Sequence, residues 1–355
     1  MKFSPITKRP VRGAIFGYGS IGPVHMNSVR GSDDGGVTSV PDVEIVAVAE
    51  PLSERAARVP EGITIYSDYQ TLLKEADVDV VHICLAHNLH APAVIAAAEA
   101  GKYIICEKPM ALDAAEALTM RDAVEKNGVG FSLISQNRLN PEKVWLKKHV
   151  VDGDFGAISR MDWKVDWYRS IEYYADSSGW RGKDAEARGG VLTNQAYHTL
   201  DLVMWLADSP VVEITAKQSV DPVIHPGNDV PDFVEGNLVF GNGIKTSFLA
   251  TVCGDKRDII NVQVTGQSNG DSKCVEVDGV AVLSQNVEAE MPVFESVAEV
   301  GGKSCYGNSH QENIARGYEA FMAGTPVPVD AETGIRVLTV IDAILNSNGT
   351  PVELG

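Results

Sequence analysis

The chain has 355 residues, of which 30 are Lys or Arg and 48 are Asp or Glu, so its formal net charge is −18. A chain of this length is expected to form about two domains and to need neither disulfides nor a metal to hold its fold. The acidic excess argues against nucleic acids and anionic membranes as partners, because both are bound mainly through Lys and Arg. No apolar run approaches the roughly 18 residues of a membrane-spanning helix, so no such helix is expected.

The cysteines indicate a reducing compartment. They are odd in number and form no Cys-x-x-Cys pair, and three of the five, Cys84, Cys106 and Cys253, lie in apolar runs. This usage is typical of free and mostly buried thiols. The N-terminal residues also lack the apolar core of a signal peptide. We therefore expect a cytoplasmic protein in which Cys274 and Cys305 are free as well.

Short apolar runs alternate with helical patterns over residues 1–130. Strands are expected at 11–17, 43–49, 78–85, 103–106 and 128–135, and helices at 21–30, 53–59, 69–75, 91–100 and 113–127. Nearly continuous apolar strands that alternate with helices are typical of a parallel sheet covered on both faces. Residues 1–130 are therefore predicted to form a doubly wound α/β domain, with a polar insertion at 31–36.

Residues 131–355 follow a different pattern and are predicted to form a second α/β domain. A long strand is expected at 158–168, and five more strand runs lie between 211 and 282, with turns at 241–243 and 269–271. Helices are expected at 141–151, 191–206, 309–323 and 331–346. Strands and helices that are segregated in this way predict an open, mainly antiparallel sheet with helices on one side. The last helix is also compatible with packing on the first domain.

A glycine-rich turn follows the first strand and opens the first helix. Gly17, Gly19 and Gly22 form a G-x-G-x-x-G motif, in which Ser20 and Ile21 complete the turn. The first glycine permits the tight turn, and the second lets a pyrophosphate approach the backbone. The N–H groups and the dipole of the helix N-terminus attract that anion. The motif in this context predicts a dinucleotide site, and a plain glycine turn is the alternative.

Glu50 ends the second strand, where a carboxylate binds the ribose hydroxyls of adenosine and repels a 2′-phosphate. The residue therefore favours NAD. Arg55 lies close enough in sequence to keep NADP open. A solvated acid at the end of a strand is the alternative.

The segment Cys106-Glu107-Lys108-Pro109 lies at the carboxyl end of the fourth expected strand. Ligands bind at this edge of doubly wound sheets, so Lys108 is placed to bind a substrate oxygen. A surface turn is the commoner context for a Glu-Lys-Pro tripeptide.

The expected helix at 191–206 carries Asn194, His198 and Asp201 at positions i, i+4 and i+7, and therefore on one face. A histidine in this position can take a proton from a hydroxyl near neutral pH. A hydrogen-bonded structural histidine is the alternative.

Together these motifs resemble those of the Gfo/Idh/MocA oxidoreductases, the relatives of glucose-fructose oxidoreductase and inositol dehydrogenase. The resemblance rests on 17–25, 81–90, 96–109, 189–201 and 310–314, in that order along the chain. It implies an N-terminal Rossmann domain and a C-terminal α/β domain whose open sheet forms the oligomer interface. A homodimer or homotetramer is expected on this basis.

The resemblance also implies roles for individual residues. Lys108 would bind the reacting oxygen and His198 would be the general acid/base, while Asn194 orients the histidine or binds a hydroxyl. Many relatives carry Asp where this chain has Asn194, and Thr-Pro where it has Leu85-Ala86-His87. Further cofactor contacts are expected from Leu85, His87, His90, Glu107 and Lys108.

An aromatic and arginine-rich stretch precedes the catalytic helix and suits a polyol ring. The expected substrate contacts are Lys108, Arg138, Trp167, Arg169, Tyr174, Trp180, Arg181, Asn194, Gln195 and His198. An aromatic core or interface patch is the alternative. No metal is expected, because the strand alternation and the lack of a nearby acid or thiol argue against a site at His82, His87 and His90.

The sequence thus predicts an NAD(P)-dependent dehydrogenase or reductase that acts on a secondary alcohol of a sugar, cyclitol or sugar derivative. One alternative is a glycosidase that uses bound NAD for transient oxidation and elimination. The other is a non-catalytic regulator that senses the dinucleotide, although Lys108 and His198 are both present.

Overall fold

The computed structural model describes residues 2–31, 38–175, 177–254, 258–279, 281–285 and 309–355. The polar insertion at 31–36 and Cys305 therefore lie largely or wholly outside the described residues. Within these ranges the chain forms two compact units, the first built from 2–136 and 309–336 and the second from 137–285 and 337–355. The boundary expected at residue 130 stays a prediction.

The first unit contains a six-stranded parallel sheet in the order β3-β2-β1-β4-β5-β6. The strands are β1 Val11–Phe16, β2 Val43–Ala49, β3 Thr64–Tyr66, β4 Val80–Ile83, β5 Tyr103–Cys106 and β6 Phe131–Leu133. The helices are α1 Gly22–Arg30, α2 Ser53–Ala56, α3 Tyr69–Glu75, α4 His90–Glu99, α5 Ala114–Asn127 and α10 Ser309–Ala323. The predicted doubly wound class is confirmed. The sequence pattern missed β3, which has three residues, none of them buried.

Strand order in this sheet reverses beside β1, which pairs with both β2 and β4. Ligands of such sheets bind outside the carboxyl ends of the strands at this switch point. All four residues of β4 are buried, as expected for a central strand. The loops that follow β1, β2, β4 and β5 therefore lie at one edge of the sheet, and these loops carry the predicted cofactor residues.

Local signals explain the helix ends in the first unit. The carboxylate of Asp113 accepts a hydrogen bond from the N–H of Glu116 at the start of α5, and Asp68 does the same for Thr71 in α3. Helix α5 ends at Gly128, whose φ of 63° is in the left-handed region. These predicted helices are confirmed to within a residue.

The second unit contains an eight-stranded sheet in the order β13-β12-β11-β7-β10-β9-β8-β14. All pairs are antiparallel except β7 with β10, so the predicted mainly antiparallel sheet is confirmed. The strands are β7 Ala157–Asp166, β8 Val211–Ser219, β9 Phe233–Phe240, β10 Lys245–Thr251, β11 Ile259–Ser268, β12 Asp271–Asp278, β13 Ala281–Gln285 and β14 Val352–Glu353. Asn269 and Gly270 join β11 to β12 with φ values of 53° and 87°, as a two-residue hairpin turn requires.

The helices assigned to the rest of the chain are α6 Pro141–Asp152, α7 Ile171–Ala175, α8 Asp184–Ala187, α9 Tyr197–Ala207 and α11 Ala331–Ser347. The prediction of one continuous α-helix over 191–206 was wrong, because a π-helical turn, Leu192–Ala196, precedes α9. The hydroxyl of Thr193 donates to the carbonyl oxygens of Arg188 and Gly190, 2.9 and 3.2 Å away, and such side-chain bonds compete with regular α-helical bonding. Asn194 therefore lies in the π-helical turn, and only His198 and Asp201 lie in α9.

Candidate active site

The glycine turn after β1 is shaped by close backbone contacts. Gly17 has a φ of 89°, and a Cβ on it would lie 2.6 Å from the carbonyl oxygen of Cys84. A Cβ on Gly22 would lie 2.5 Å from the carbonyl oxygen of Gly17. Both positions therefore require glycine to let the strand, the turn and α1 approach one another.

Gly19 differs from the other two glycines in what surrounds it. Among the described residues other than its two chain neighbours, one atom would lie within 4 Å of a Cβ on Gly19: Nη1 of Arg55, at 3.7 Å. The backbone at Gly19 thus faces open space at the start of α1, next to a guanidinium. This cradle fits a pyrophosphate, which needs close access to backbone N–H groups.

Glu50 follows β2 and is almost fully buried, with 4% of its surface exposed. Its Oε2 accepts the N–H of Tyr18 at 2.7 Å, and its Oε1 accepts the N–H of Leu52 at 3.0 Å. The carboxylate is therefore held beside the glycine turn. Each oxygen has a second lone pair, so the group can still accept from ribose hydroxyls.

Glu107 lies directly after β5 and is buried. Its Oε1 accepts hydrogen bonds from Nε2 of His25 at 3.0 Å and Nε2 of His310 at 3.1 Å, and its Oε2 accepts the N–H of Lys108 at 3.1 Å. Burial alone would raise the pKa of Glu107, but the hydrogen bonds from the two histidines outweigh it and hold the pKa well below its usual value. Glu107 is therefore a carboxylate at neutral pH.

The histidine contacts of Glu107 continue into the interior. Nδ1 of His25 lies 2.8 Å from Nδ1 of His82, and Nε2 of His82 lies 2.7 Å from the hydroxyl of Tyr318. Burial lowers the pKa of His25, and lowers that of His82 further. Both rings are therefore neutral at neutral pH. Sequence reasoning placed His82 with His87 and His90, but its ring bonds to His25 and Tyr318.

His90 joins the loops that follow β4 and β5. Its Nδ1 lies 2.8 Å from the carbonyl oxygen of Pro109, and its Nε2 lies 3.1 Å from the carbonyl oxygen of Leu85. His87 is buried in a short 3₁₀ turn, His87–Leu89, with its ring centroid 5.9 Å from that of His90. His90 thus fixes the backbone on both sides of the predicted cofactor contacts.

The late motif predicted from the sequence belongs to α10, in the first unit. His310 donates to Glu107, and the side chain of Asn313 accepts the N–H of Ser135 at 2.9 Å and donates to the carbonyl of Leu133. This motif therefore ties α10 to the ends of β5 and β6. Sequence reasoning noted the motif but assigned no role to either side chain.

In the second unit, His198 lies in the first turn of α9 with 2% of its surface exposed. One turn further on, the buried Asp201 accepts two hydrogen bonds from the guanidinium of Arg138, which places the two groups in a bidentate ion pair. Arg138, a predicted substrate contact, is thereby anchored to the helix that carries His198. Its guanidinium also lies 5.8 Å from the ring centre of Trp205.

Five side chains of the second unit form an alternating stack of aromatic rings and guanidinium groups. Arg169 lies 3.8 Å from the ring centre of Trp167 and 5.2 Å from that of Tyr173, and Arg181 lies 4.8 and 4.7 Å from the ring centres of Tyr173 and Trp180. We call this set the aromatic–arginine stack. It brings together four of the predicted substrate residues.

Tyr173 connects that stack to the segment before His198. Its hydroxyl accepts a hydrogen bond from Nε2 of Gln195, in the π-helical turn, at 3.1 Å. Sequence reasoning named Tyr174 instead of Tyr173. Tyr174 is buried, and its ring packs on that of His225 with a centroid distance of 4.7 Å. Burial raises the pKa of Tyr174, so its hydroxyl stays protonated.

His225 and Asp232 form a buried pair that contacts the backbone of Arg169, a member of the stack. Nδ1 of His225 lies 2.9 Å from Oδ2 of Asp232, and Nε2 lies 2.8 Å from the carbonyl oxygen of Arg169. Each ring nitrogen of His225 thus lies within hydrogen-bond distance of an oxygen atom. The pair therefore holds the backbone of the segment that carries Arg169. No motif in the sequence marked these two residues.

Two family profiles match the chain. One, for an oxidoreductase family with an NAD-binding Rossmann fold, covers residues 11–134, and the C-terminal domain profile of the same family covers 144–269. The molecule is accordingly an NAD-dependent oxidoreductase with a Rossmann domain. The chain belongs to the Gfo/Idh/MocA family, and the resemblance seen in its motifs is confirmed.

Individual relatives are similar at modest identity. Levoglucosan dehydrogenase of Pseudarthrobacter phenanthrenivorans is 32% identical over 175 residues, which is 47% of this chain and 43% of that one. D-glucoside 3-dehydrogenase of Escherichia coli K12 is 26% identical over an alignment of 383 positions, which covers 99% of each chain. The crystal structure of the WlbA dehydrogenase from Bordetella pertussis, in complex with NADH and UDP-GlcNAcA, superimposes with a TM-score of 0.85 at 25% identity and 99% coverage of both chains.

Among the described residues, none of the helices combines the length and the apolar character needed to cross a bilayer.

Proposed function

We propose that this chain transfers a hydride between a secondary alcohol of a sugar, cyclitol or sugar derivative and NAD. In this proposal Lys108 binds the reacting oxygen and His198 is the general acid/base. The chain is an oxidoreductase that acts on CH–OH groups, and the proposal adds the substrate class and the residues that act on it.

The observation that carries the proposal is the arrangement at one edge of the six-stranded sheet. The glycine turn follows β1, Glu50 follows β2, and Lys108 follows β5. A cradle for a pyrophosphate, a carboxylate for a ribose and a lysine for a substrate oxygen therefore belong to the same edge. This combination supports oxidation or reduction of an alcohol next to a bound dinucleotide.

The proposed chemistry divides between two side chains. NAD, when bound, supplies the hydride acceptor, and the reduced form supplies the donor. The ammonium of Lys108 stabilises negative charge on the substrate oxygen, and His198 takes the hydroxyl proton in the oxidation direction. Asn194 is proposed to orient His198 or to bind a hydroxyl group.

The proposed cofactor contacts are those of the first unit, Gly17, Gly19, Ser20, Ile21, Gly22, Glu50, Leu85, His87, His90, Glu107 and Lys108. The proposed substrate contacts of the second unit include the aromatic–arginine stack, because flat rings and guanidinium groups suit the faces and hydroxyls of a sugar. The named substrates of the relatives, levoglucosan and D-glucosides, support this class.

Substitution of Lys108 tests the proposal. The enzyme is first assayed with a panel of sugars, inositols and nucleotide sugars, with NAD and with NADP, by absorbance of the reduced cofactor. With the best substrate, Lys108→Met is expected to lower kcat by at least about 100-fold, since one positioned donor is commonly worth about 2.7–4 kcal/mol. The dissociation constant of NADH is expected to change less than threefold.

Lys126→Met is the matched control, because Lys126 lies exposed on α5. Unchanged turnover in Lys108→Met would remove the lysine from the mechanism. Release of an aglycone without net formation of NADH would favour the glycosidase over the dehydrogenase.

We further propose that the protein is cytoplasmic and forms a homodimer or homotetramer through the eight-stranded sheet. The compartment is supported by the cysteines, since Cys84, Cys106 and Cys253 are free thiols. Burial raises the pKa of the Cys84 and Cys106 thiols well above the usual value, so these two are inert. Size-exclusion chromatography with light scattering tests the oligomeric state.

A further inference from the structure

The carboxylate of Glu107 accepts hydrogen bonds from two distant helices and from the backbone of the next residue in the chain. His25 lies in α1, His310 lies in α10, and the N–H of Lys108 belongs to the loop after β5. Hydrogen bonds to a charged acceptor are shorter and stronger than those between neutral groups. The carboxylate is therefore a fixed point to which the backbone of Lys108 is attached.

The protons of this cluster can be assigned from its chemistry. A carboxylate only accepts, so Nε2 of His25 and Nε2 of His310 each carry a hydrogen. Since His25 is neutral, its Nδ1 accepts from Nδ1–H of His82, and Nε2 of His82 then accepts from the hydroxyl of Tyr318. Tyr318, His82, His25 and Glu107 are thus joined by successive hydrogen bonds, and every donor along them meets an acceptor. We call these four side chains the histidine relay.

The histidine relay ends in the interior rather than at the surface. Tyr318 and His82 both have 0% of their surface exposed. Burial also raises the pKa of Tyr318, which keeps its proton on the hydroxyl. The relay is therefore suited to holding Glu107 in place, and the group that it holds binds the backbone N–H of the proposed catalytic lysine.

We propose that Glu107 is the positioning residue for Lys108: its carboxylate, held by His25 and His310, fixes the lysine backbone so that the ammonium group is aimed at the reacting oxygen. This inference rests on the proposed role of Lys108. His310 shares the task, because it supplies one of the two side-chain hydrogen bonds that fix the carboxylate.

The same three ligand atoms, two imidazole nitrogens and a carboxylate oxygen, lie within 4.8 Å of one another and form a set that can hold a metal ion. Nε2 of His25 and Nε2 of His310 would then both have to lose their hydrogens. The observed separations of 3.0 and 3.1 Å from each nitrogen to Oε1 are those of N–H···O hydrogen bonds. The positioning proposal therefore expects the purified enzyme to contain no stoichiometric metal.

Two substitutions of Glu107 separate hydrogen bonding from volume. Glu107→Met fills the space but offers no acceptor to the three N–H groups. Glu107→Gln keeps an acceptor for Lys108 N–H only if its amide NH₂ faces both histidines, which requires each imidazole to change tautomer. The glutamine variant is therefore the conservative replacement, and it is expected to retain part of the function that the methionine variant loses.

The first readout is independent of activity. Amide hydrogen exchange is followed by mass spectrometry on a short peptide that carries Lys108, in the enzyme without substrate. Pro109 contributes no amide hydrogen, so the signal is dominated by few residues. We expect exchange to be at least tenfold faster in Glu107→Met than in the wild type and intermediate in Glu107→Gln.

The second readout is a comparison of kcat with cofactor binding. Glu107→Met is expected to lower kcat at least tenfold while the dissociation constant of NADH changes less than threefold. Should Glu107→Met not fold, His310→Leu replaces it, because His310 is partly exposed and only one hydrogen bond is lost. In His310→Leu, amide exchange at Lys108 is then expected to rise at least threefold and kcat to fall at least threefold. Tyr318→Phe alters only the far end of the histidine relay and is expected to leave Lys108 exchange unchanged.

Three results would overturn the inference: unchanged exchange at Lys108 in Glu107→Met, an effect of Tyr318→Phe as large as that of Glu107→Met, or one metal ion per chain in the purified enzyme. Lys108→Met, assayed in parallel, separates the two proposals. If it loses turnover while Glu107→Met does not, only the positioning role fails. If it keeps turnover, the proposed function of Lys108 fails and the positioning role fails with it.

Discussion

Glu50 presents one buried carboxylate to two backbone N–H groups and lies beside the turn that fits a pyrophosphate. Its negative charge would repel a 2′-phosphate, whereas its free lone pairs can accept from a ribose diol. We therefore propose that a single charge, that of Glu50, favours NAD over NADP. Arg55, near Gly19, is the cation that remains if the charge of Glu50 is removed.

Glu50→Gln is therefore expected to lower the ratio of kcat/KM with NAD to kcat/KM with NADP at least tenfold. The side chain keeps its size, and the change removes the charge that opposes a 2′-phosphate. Glu54→Gln is the matched control, since Glu54 is an exposed acid of the neighbouring helix α2. An unaltered ratio in Glu50→Gln would contradict the assignment of Glu50 to the adenosine ribose.

At the scale of the element, the turn between β1 and α1 contains glycines of two kinds. Gly22 is packed against the carbonyl oxygen of Gly17, and Gly19 faces open space. The first kind is required by the packing of the turn, and the second is proposed to give the ligand access to the backbone. The distinction predicts that substitutions at the two positions have different effects on stability.

Gly19→Ala is expected to weaken NADH binding at least tenfold and to leave the unfolding midpoint within about 1 °C of the wild type. The added methyl meets only Arg55 in the free protein, at 3.7 Å, but occupies the space through which a pyrophosphate approaches. Gly22→Ala is expected to lower both affinity and midpoint, because its methyl would lie 2.5 Å from a carbonyl oxygen. Titration of NADH fluorescence and thermal unfolding measure the two effects. An NADH affinity in Gly19→Ala equal to that of the wild type would contradict the assignment of the pyrophosphate to this turn.

At the scale of the whole molecule, buried neutral histidines make stability depend on pH. Burial lowers the pKa of His25 and of His82, so both stay neutral in the folded state as the pH falls. In the unfolded chain each takes up a proton below about pH 6.5. The unfolded state then binds more protons than the folded state, and the free energy of unfolding falls as the pH is lowered.

Between pH 7.5 and pH 5.5 each of these histidines is expected to remove at most about 1.4 kcal/mol from the free energy of unfolding, which is the limit for a ring that stays neutral in the folded state. Urea titrations at the two pH values measure the loss, in about 0.5 M salt so that the net charge of −18 is screened. In His82→Gln the fall in the free energy of unfolding between the two pH values is expected to be smaller by about the contribution of one histidine. A pH-independent free energy of unfolding over this interval would contradict the neutral histidine relay.

Particular residues show how far sequence reasoning reached. Gly17, Glu50 and Lys108 could be assigned because each stands at the carboxyl end of an apolar strand, and the ends of parallel strands share one edge. The predicted single helix face of Asn194, His198 and Asp201 assumed α-helical geometry throughout. The hydrogen bonds of Thr193 and the resulting π-helical turn were not visible in the residue pattern.

The sequence by itself determined the doubly wound sheet, the mainly antiparallel sheet, the glycine turn and the family, because strand and helix periodicities and the glycine motif are local signals that act over a few residues. Only the tertiary structure decided that Glu107 binds His25, His310 and the backbone of Lys108, that Arg138 pairs with Asp201, and that His225 holds the carbonyl of Arg169. Apart from the bond between Glu107 and the adjacent Lys108, these contacts join residues more than 50 positions apart. Their partners are chosen by how the packed elements bring buried donors and acceptors together, and no local pattern encodes that choice.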